Sequence, residues 1–396
     1  VKNIKECKDC LNFLIKDSVK LQMRSDVPVG IFLSGGLDSS IVNAIASRLI
    51  SEKLNAFSVG FIGGYNELEV ARKIADQFGN RHLTFQLYPD KILSLIYELI
   101  PYLDEPIADN SIIPSYMLAK KANKEGIPVI LTGAGGDELF GGYYRYFPKC
   151  RGIKTDILYR LPEKMRRAIG YLYRIYQDDD AFRILNKKLD FAIAISGTGL
   201  GRLKKCLSNP SDFQYILSFL LRHYDSYVNS SSHTLNESIR SLMRLDLKSY
   251  LVDDILTLTD KMSMAVSVEA RVPLLDHRIV EFCFSIPEKM LFPYKMPKAL
   301  LKETFSGALP EFLFNLPKSG FAGPTNKWIA SLLRKGIIRQ YLIENCSEFF
   351  KELFSLKELN KLLLVAENGK NGYAYSTLWT LFIFDFWYKT HIEGKI

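Results

Sequence analysis

Apolar positions along the chain follow two periods in turn. Over the first twenty-odd residues Leu11, Leu14, Ile15, Val19 and Met23 recur at three- and four-residue spacing, which stacks them on one helical face. A face that broad needs a surface to pack on, so residues 1–27 read as a linker helix, and the start at Val1 as a cut through a longer polypeptide. From Pro28 to about residue 150 short apolar runs alternate with helical patterns. Val29–Leu33, Ala56–Gly60, Arg81–Leu87 and Ile127–Thr132 read as strands. Helices are expected at about Ser40–Ile50, after a candidate N-cap at Asn66 with Glu69 three residues on, and near Asp90–Leu99 and Ser115–Lys124. Such alternation predicts an α/β fold: a Rossmann-like parallel sheet with helices on both faces. Residues 151–396 show little strand character and predict a mostly helical C-terminal region punctuated by prolines. The apolar stretch Leu378–Tyr388, interrupted by Asp385, is too short to span a bilayer and reads as a buried terminal helix.

Composition narrows the class without naming an activity. With 47% hydrophobic and 24% charged residues among 396, the chain is neither disordered nor fibrous, and its length suits about two domains. The net charge of +9 is dispersed, as at Lys164, Arg166, Arg167, Lys204 and Lys205, without the dense tract of a nucleic-acid-binding arm. Six cysteines include one Cys-x-x-Cys, Cys7 and Cys10, but no second pair completes a zinc site. Reduced thiols and no export signal point to the cytoplasm, with neither membrane nor nucleic acid as partner.

Two glycine-rich turns carry the chemistry. The first, Ser34-Gly-Gly-Leu-Asp-Ser-Ser40, follows a strand and opens a helix. Backbone N–H groups of Ser34, Gly35 and Gly36 can approach a phosphate closely, the hydroxyls of Ser39 and Ser40 add donors, and the helix N-terminus favours an anion. No Gly-Lys-Ser/Thr ending is present, so this is not a Walker A loop. Asp38 is repelled by phosphate unless a divalent cation lies between, which makes it a candidate Mg2+ ligand. The second turn, Thr132-Gly-Ala-Gly-Gly-Asp-Glu138, follows another strand and offers Asp137 as a second carboxylate to the same metal. A Gly-Gly turn capped by Asp and Ser, and a merely glycine-rich loop, are the plain structural alternatives.

Ser34-Gly-Gly-Leu-Asp-Ser39 matches the pyrophosphate-loop signature of the ATP pyrophosphatases. Together with Gly133–Glu138, Asp260-Lys-Met-Ser-Met-Ala265, Val268-Glu-Ala-Arg-Val-Pro-Leu-Leu-Asp276 and Lys318-Ser-Gly-Phe321, it resembles the synthetase domain of glutamine-dependent asparagine synthetases from about residue 10 to 330. The resemblance implies ATP and Mg2+ as cofactors, with Leu33, Val59 and Gly133 around adenosine and Thr132 among the residues that bind ATP or its pyrophosphate. Ser34, Gly35, Gly36, Asp38, Ser39 and Ser40 then form the pyrophosphate and metal loop. It implies Lys261 and Lys318 as catalytic cations near the α-phosphate and the leaving pyrophosphate. Arg271, Asp276 and Glu138 are candidate substrate residues, although Arg271 and Asp276 fit a structural ion pair equally well. The implied reaction adenylates a carboxylate and amidates it with ammonia from glutamine, most simply on aspartate.

Two departures from the family pattern bear on that expectation. Ala134 stands where asparagine synthetases carry Glu in the second turn, which puts the acceptor in question and admits another carboxylate such as a sugar uronic acid of a surface polysaccharide. A nucleotide-binding module with impaired catalysis and an RNA thiolase sharing the loop are the further alternatives. The N-terminal glutaminase domain of the family is not within this sequence, so a glutaminase domain of a full-length chain, or a separate glutaminase, is the implied ammonia source. The sequence leaves the oligomeric state open, a homodimer included.

Overall fold

A computed structural model describes residues 3–62, 67–143, 146–147, 162, 165, 200–227, 239–293, 296–316, 323–369 and 372–395. Residues 166–199 of the expected helical region, the N-cap at Asn66 and the whole of Lys318-Ser-Gly-Phe321 lie outside them.

The chain forms two compact units, and they do not follow the linear partition at residue 150. The first comprises Val1–Tyr88, Asp109–Phe147 and Glu237–Gly323, the second Pro89–Ala108, Pro148–Asn236 and Pro324–Ile396. In the first unit the elements are α1 (Ile4–Gln22), β1 (Val29–Phe32), α2 (Leu37–Ala46), β2 (Asn55–Phe61), α3 (Leu68–Gln77), β3 (Arg81–Leu87), α4 (Ile112–Lys124), β4 (Val129–Leu131) and α5 (Gly136–Phe140). They continue with α6 (Ile239–Lys248), a π-helical turn at Tyr250–Leu256, α7 (Thr257–Met264), β5 (Glu269–Arg271), α8 (His277–Ser285) and α9 (Ala299–Phe305).

All five strands pair in parallel, in the order β3-β2-β1-β4-β5. In β2 the consecutive residues Ala56, Phe57, Ser58, Val59 and Gly60 are all buried. Successive side chains point to opposite faces, so a continuous buried run means both faces are covered, as the α/β expectation requires. The order reverses between β1 and β4, and the crevice at such a switch point, beyond the strands' carboxyl ends, is where open α/β sheets take ligands. Both glycine-rich turns begin there.

The fifth strand was not expected. Glu269–Arg271 is three residues long, polar at both ends and at the edge of the sheet, so it has neither the length nor the apolar run that marks a strand. The apolar face of α1 is met within the same unit, where it packs on α2, α8 and α9 with Cys7, Leu11, Ile15 and Val19 fully buried. Each fully buried aliphatic side chain of this kind contributes about 1.5–3 kcal/mol. Asn3 caps the helix by accepting from the Glu6 N–H at 3.0 Å.

The second unit is helical and rich in aromatics. Its longest helix, Gly372–His391, buries Leu378, Trp379, Leu381, Phe382, Ile383 and Phe386, as the apolar run near the C-terminus predicts. Trp379 and Trp387 each donate an indole N–H to a backbone carbonyl, of Ala108 at 2.7 Å and of Leu103 at 2.8 Å. Among the described residues no helix is long and apolar enough to cross a membrane.

Candidate active site

The turn after β1 is braced from within. Leu33 donates its N–H to the Phe57 carbonyl at 2.9 Å, continuing the β1–β2 ladder to the brink of the loop. Its own carbonyl accepts from Ser58 Oγ at 2.5 Å, and Ser58 Oγ lies 2.8 Å from His82 Nε2. Because the Ser58 proton is spent on Leu33, His82 must donate to Ser58. Burial holds the His82 imidazole below its ordinary pKa. Within the loop Ser40 Oγ donates to the Gly36 carbonyl at 2.7 Å, and Ser34 and Ser39 share a hydroxyl contact of 3.0 Å. Ser40 is fully buried, so its hydroxyl stiffens the turn, and Ser39 is nearly so. Gly36 caps α2, whose first N–H groups thus face the loop.

The second turn meets the first in direct contact. A Cβ on Gly133 would lie 2.6 Å from Ser39 N, and one on Gly136 would lie 2.6 Å from Asp38 Oδ1. Only a residue without a side chain lets the two backbones approach so closely. Gly136→Ala is therefore expected to push the Asp38 carboxyl aside. Turnover should fall on the order of 10²-fold, the size of effect that a displacement of about 1 Å at a reacting centre produces. Steady-state kinetics beside a thermal melt would test this; wild-type turnover would mean that the Asp38 position does not matter.

Asp38 and Asp137 converge on one cation that sequence reasoning missed. Lys298 Nζ lies 2.5 Å from Asp38 Oδ2 and 2.6 Å from Asp137 Oδ1, with side-chain exposures of 11%, 14% and 21% for Lys298, Asp38 and Asp137. Burial alone would lower the Lys298 pKa, but the two carboxylates outweigh it, and the ammonium is held above its usual range. The Lys298 backbone takes φ 55°, uncommon for a residue with a Cβ, and its N–H donates to the Phe140 carbonyl at 2.9 Å. Lys298 sits 260 residues from Asp38 in a segment with no motif, so no local signal could have found it.

The remaining candidates fall into two groups. Leu33, Ser34, Gly35, Gly36, Asp38, Ser39, Thr132, Gly133 and Asp137 are gathered at the two turns, with Thr132 N–H donating to the Arg271 carbonyl at 2.8 Å. Val59 is buried on β2. Glu138 is buried and accepts from Tyr143 OH at 2.5 Å. Burial, then the charges of Glu138 and Asp137, push the Tyr143 hydroxyl far above its usual pKa, so it is a fixed donor. Lys261 lies on α7 and is half-buried.

Arg271 and Asp276 are not brought together. Arg271 donates to the Gln22 and Arg24 carbonyls at 2.6 and 2.8 Å and pairs with Glu269 at 2.7 Å, clamping the end of α1. Asp276 caps α8, accepts from Arg278 at 2.7 Å and is held below the usual carboxylate range by that guanidinium. Arg278 also reaches Asp17 on α1 at 2.6 Å. Of the two roles open to Arg271 and Asp276, their bonds here are structural. In the π-helical turn Asp254 titrates above its normal range, through burial and then the charge of Asp109.

A divalent cation fits this donor set. Among the described residues no group of three or more His, Cys, Asp or Glu forms a metal cage. Asp38 and Asp137 together would supply the one or two carboxylates that Mg2+ takes while keeping water and phosphate oxygens. Two carboxylates already gathered on one cation, Lys298, have the charge that such an exchange needs.

The asparagine synthase family model matches residues 11–389. The chain belongs to the asparagine synthase family. Among curated relatives of this asparagine synthase family member, asparagine synthetase [glutamine-hydrolyzing] 1 of Bacillus subtilis is 30% identical over 100% of this chain and 60% of its own length. A putative asparagine synthetase [glutamine-hydrolyzing] of Mycobacterium tuberculosis is 28% identical over 98% of this chain and 58% of its own. Amidase chyE of Penicillium rubens is 24% identical over 83% of this chain and 54% of its own. The family member thus spans about 60% of the length of the first two relatives.

Proposed function

We propose that this chain is the synthetase part of an ATP-dependent carbon–nitrogen ligase, which adenylates a carboxylate and amidates it with ammonia. The observation that carries the proposal is the convergence of Asp38 and Asp137, from turns on either side of the switch point, within 2.6 Å of one ammonium. Aspartate is the proposed acceptor and glutamine the proposed source of ammonia, through a glutaminase domain or a separate glutaminase in the cytoplasm.

The chemistry follows from leaving groups. A substrate carboxylate oxygen attacks the α-phosphorus of ATP, the bond to the bridging oxygen breaks, and pyrophosphate departs with the electron pair. Ammonia then attacks the acyl carbon, loses a proton, and AMP departs. Hydroxide is a hopeless leaving group and AMP a good one. In this reading the Gly35 N–H and the N-terminus of α2 receive the pyrophosphate, joined by the N–H groups of Ser34 and Gly36 as they leave the Ser39 and Ser34 hydroxyls, at 3.3 and 3.2 Å. Leu33, Val59, Thr132 and Gly133 bound adenosine, with the Leu33 peptide held in register by Ser58 and His82. Asp38 and Asp137 would hold Mg2+, which would neutralise phosphate oxygens. Lys261 and Lys318 oppose charge developing on the departing oxygens, and fixed cations do that best in a site closed to water.

One observation favours a second acceptor. Ala134 leaves the second turn without a carboxylate at a position where asparagine synthetases carry Glu, and its N–H only meets Thr132 Oγ1 at 3.4 Å. A carboxylate other than aspartate, such as a uronic acid, is the alternative. Pyrophosphate release with MgATP and ammonium, scanned over aspartate and candidate uronic acids, tests both. Release that requires aspartate is the expected result; release with another acceptor alone replaces aspartate, and no release with any carboxylate defeats the ligase reading in favour of a binding module.

A further inference from the structure

We infer that Lys298 is a built-in counter-ion that occupies the place of the divalent cation between Asp38 and Asp137, so that metal enters only as the ammonium moves aside. The inference rests on the proposed Mg2+ role of those two aspartates and adds a residue that the role does not require.

Three observations carry it. First, the ammonium is within 2.6 Å of one oxygen of each carboxylate, so a metal bridging the pair and this ammonium cannot share the space. Second, the lysine is aimed there by its backbone: φ is 55° and the N–H is fixed to the carbonyl of Phe140, the last residue of α5, the helix that carries Asp137. Third, the walls are tight. A Cβ on Gly142 would lie 2.4 Å or less from Lys298 Cε and Asp137 Oδ1, so the side chain has a slot rather than open solvent.

Two buried carboxylates this close repel each other unless a cation compensates them, and removing one partner of a buried pair leaves a charge that water cannot reach. An ammonium on a flexible four-carbon stem provides that compensation with one charge and three donors, yet can withdraw as a unit. A metal ion arriving alone must displace it and gains little. A metal ion arriving with a nucleotide brings phosphate oxygens that offer the displaced ammonium new acceptors. Metal affinity is thereby tied to nucleotide, and a metal-loaded site without ATP is avoided.

The test is Mn2+ binding, read by the loss of the free-ion electron paramagnetic resonance signal, with and without ATP. Wild type should bind Mn2+ weakly alone and well with ATP. Lys298→Gln keeps hydrogen-bond donors but loses the charge, and Lys298→Met removes both. Each should bind Mn2+ without nucleotide about tenfold more tightly or better, since the metal now relieves an uncompensated pair. Their melting temperatures should drop in EDTA and recover with Mg2+, which also shows that they fold. Lys298→Arg, which retains the charge on a bulkier head, should bind Mn2+ without nucleotide less tightly than Lys298→Gln. If Lys298→Gln binds Mn2+ alone no better than wild type, while Mn2+–ATP binding still depends on Asp38, this inference is overturned and the site reading stands. If Mn2+–ATP binding does not depend on Asp38, both are overturned.

Discussion

Asp38→Asn is expected to lower the proposed adenylation on the order of 10³-fold while leaving the protein folded. The substitution is nearly isosteric, and Oδ1 of the amide still accepts a hydrogen bond from Lys298, which keeps its ion pair to Asp137 at 2.6 Å. The local backbone is held by other bonds, chiefly Ser40 Oγ to the Gly36 carbonyl and Leu33 N–H to the Phe57 carbonyl. What is lost is one of the two negative charges, Asp38 and Asp137, that the proposed Mg2+ site would offer. Removing a single group that stabilises developing charge in a closed site costs about 10²–10³ in rate, and a metal carboxylate lies at the upper end because the ion is bound less well too. Single-turnover pyrophosphate release over a range of Mg2+, next to a thermal melt, separates the two contributions: more Mg2+ restores the binding part only. An unchanged rate at every Mg2+ concentration would take Asp38 out of the chemistry.

That expectation could be framed from sequence because the residues concerned are local to one turn. A short apolar strand, a glycine-rich loop and the start of a helix are each written in a handful of consecutive residues, and β1 through α2 shows all three. The same holds for β4 and the turn after it. What could not be read is whatever depends on contacts far apart in the chain. Lys298 is an ordinary lysine between Pro297 and Ala299 until the fold brings it to Asp38. β5 is a strand because the edge of β4 was open to it, with Val129, Ile130 and Leu131 in register with Glu269, Ala270 and Arg271, and not because its own sequence favours one. The partition at residue 150 followed the change in periodicity, whereas the compact units follow space, so α6 to α9 join the sheet. Arg271 shows the remaining difficulty. An arginine in a family motif fits a substrate contact or a clamp, and only its neighbours, the Gln22 and Arg24 carbonyls, distinguish them.

In the second unit Asp385→Ala is expected to cost about 3–5 kcal/mol, the range for removing one partner of a buried ion pair. Asp385 is 1% exposed on the C-terminal helix Gly372–His391. Its Oδ2 lies 2.9 Å from Lys389 Nζ, while Oδ1 accepts from Ser347 N–H at 3.0 Å and Ser347 Oγ at 2.7 Å. Lys389 also donates to the Asn345 carbonyl and lies 5.6 Å from the Tyr341 ring centre. Removing the carboxylate therefore leaves a buried ammonium with a single carbonyl acceptor and frees Ser347. That serine is the N-cap of the helix Glu348–Leu353, accepting from Phe350 N–H at 3.1 Å, and loss of such a cap costs about 1 kcal/mol. The double variant Asp385→Ala/Lys389→Met should be less destabilised than the single one, because no charge then remains buried. Two units need not unfold together, so the quantity to follow is hydrogen-exchange protection of Gly372–His391 rather than one global midpoint. Protection within about 1 kcal/mol of wild type in Asp385→Ala would mean that water reaches Lys389 and that the pair is worth no more than a surface one.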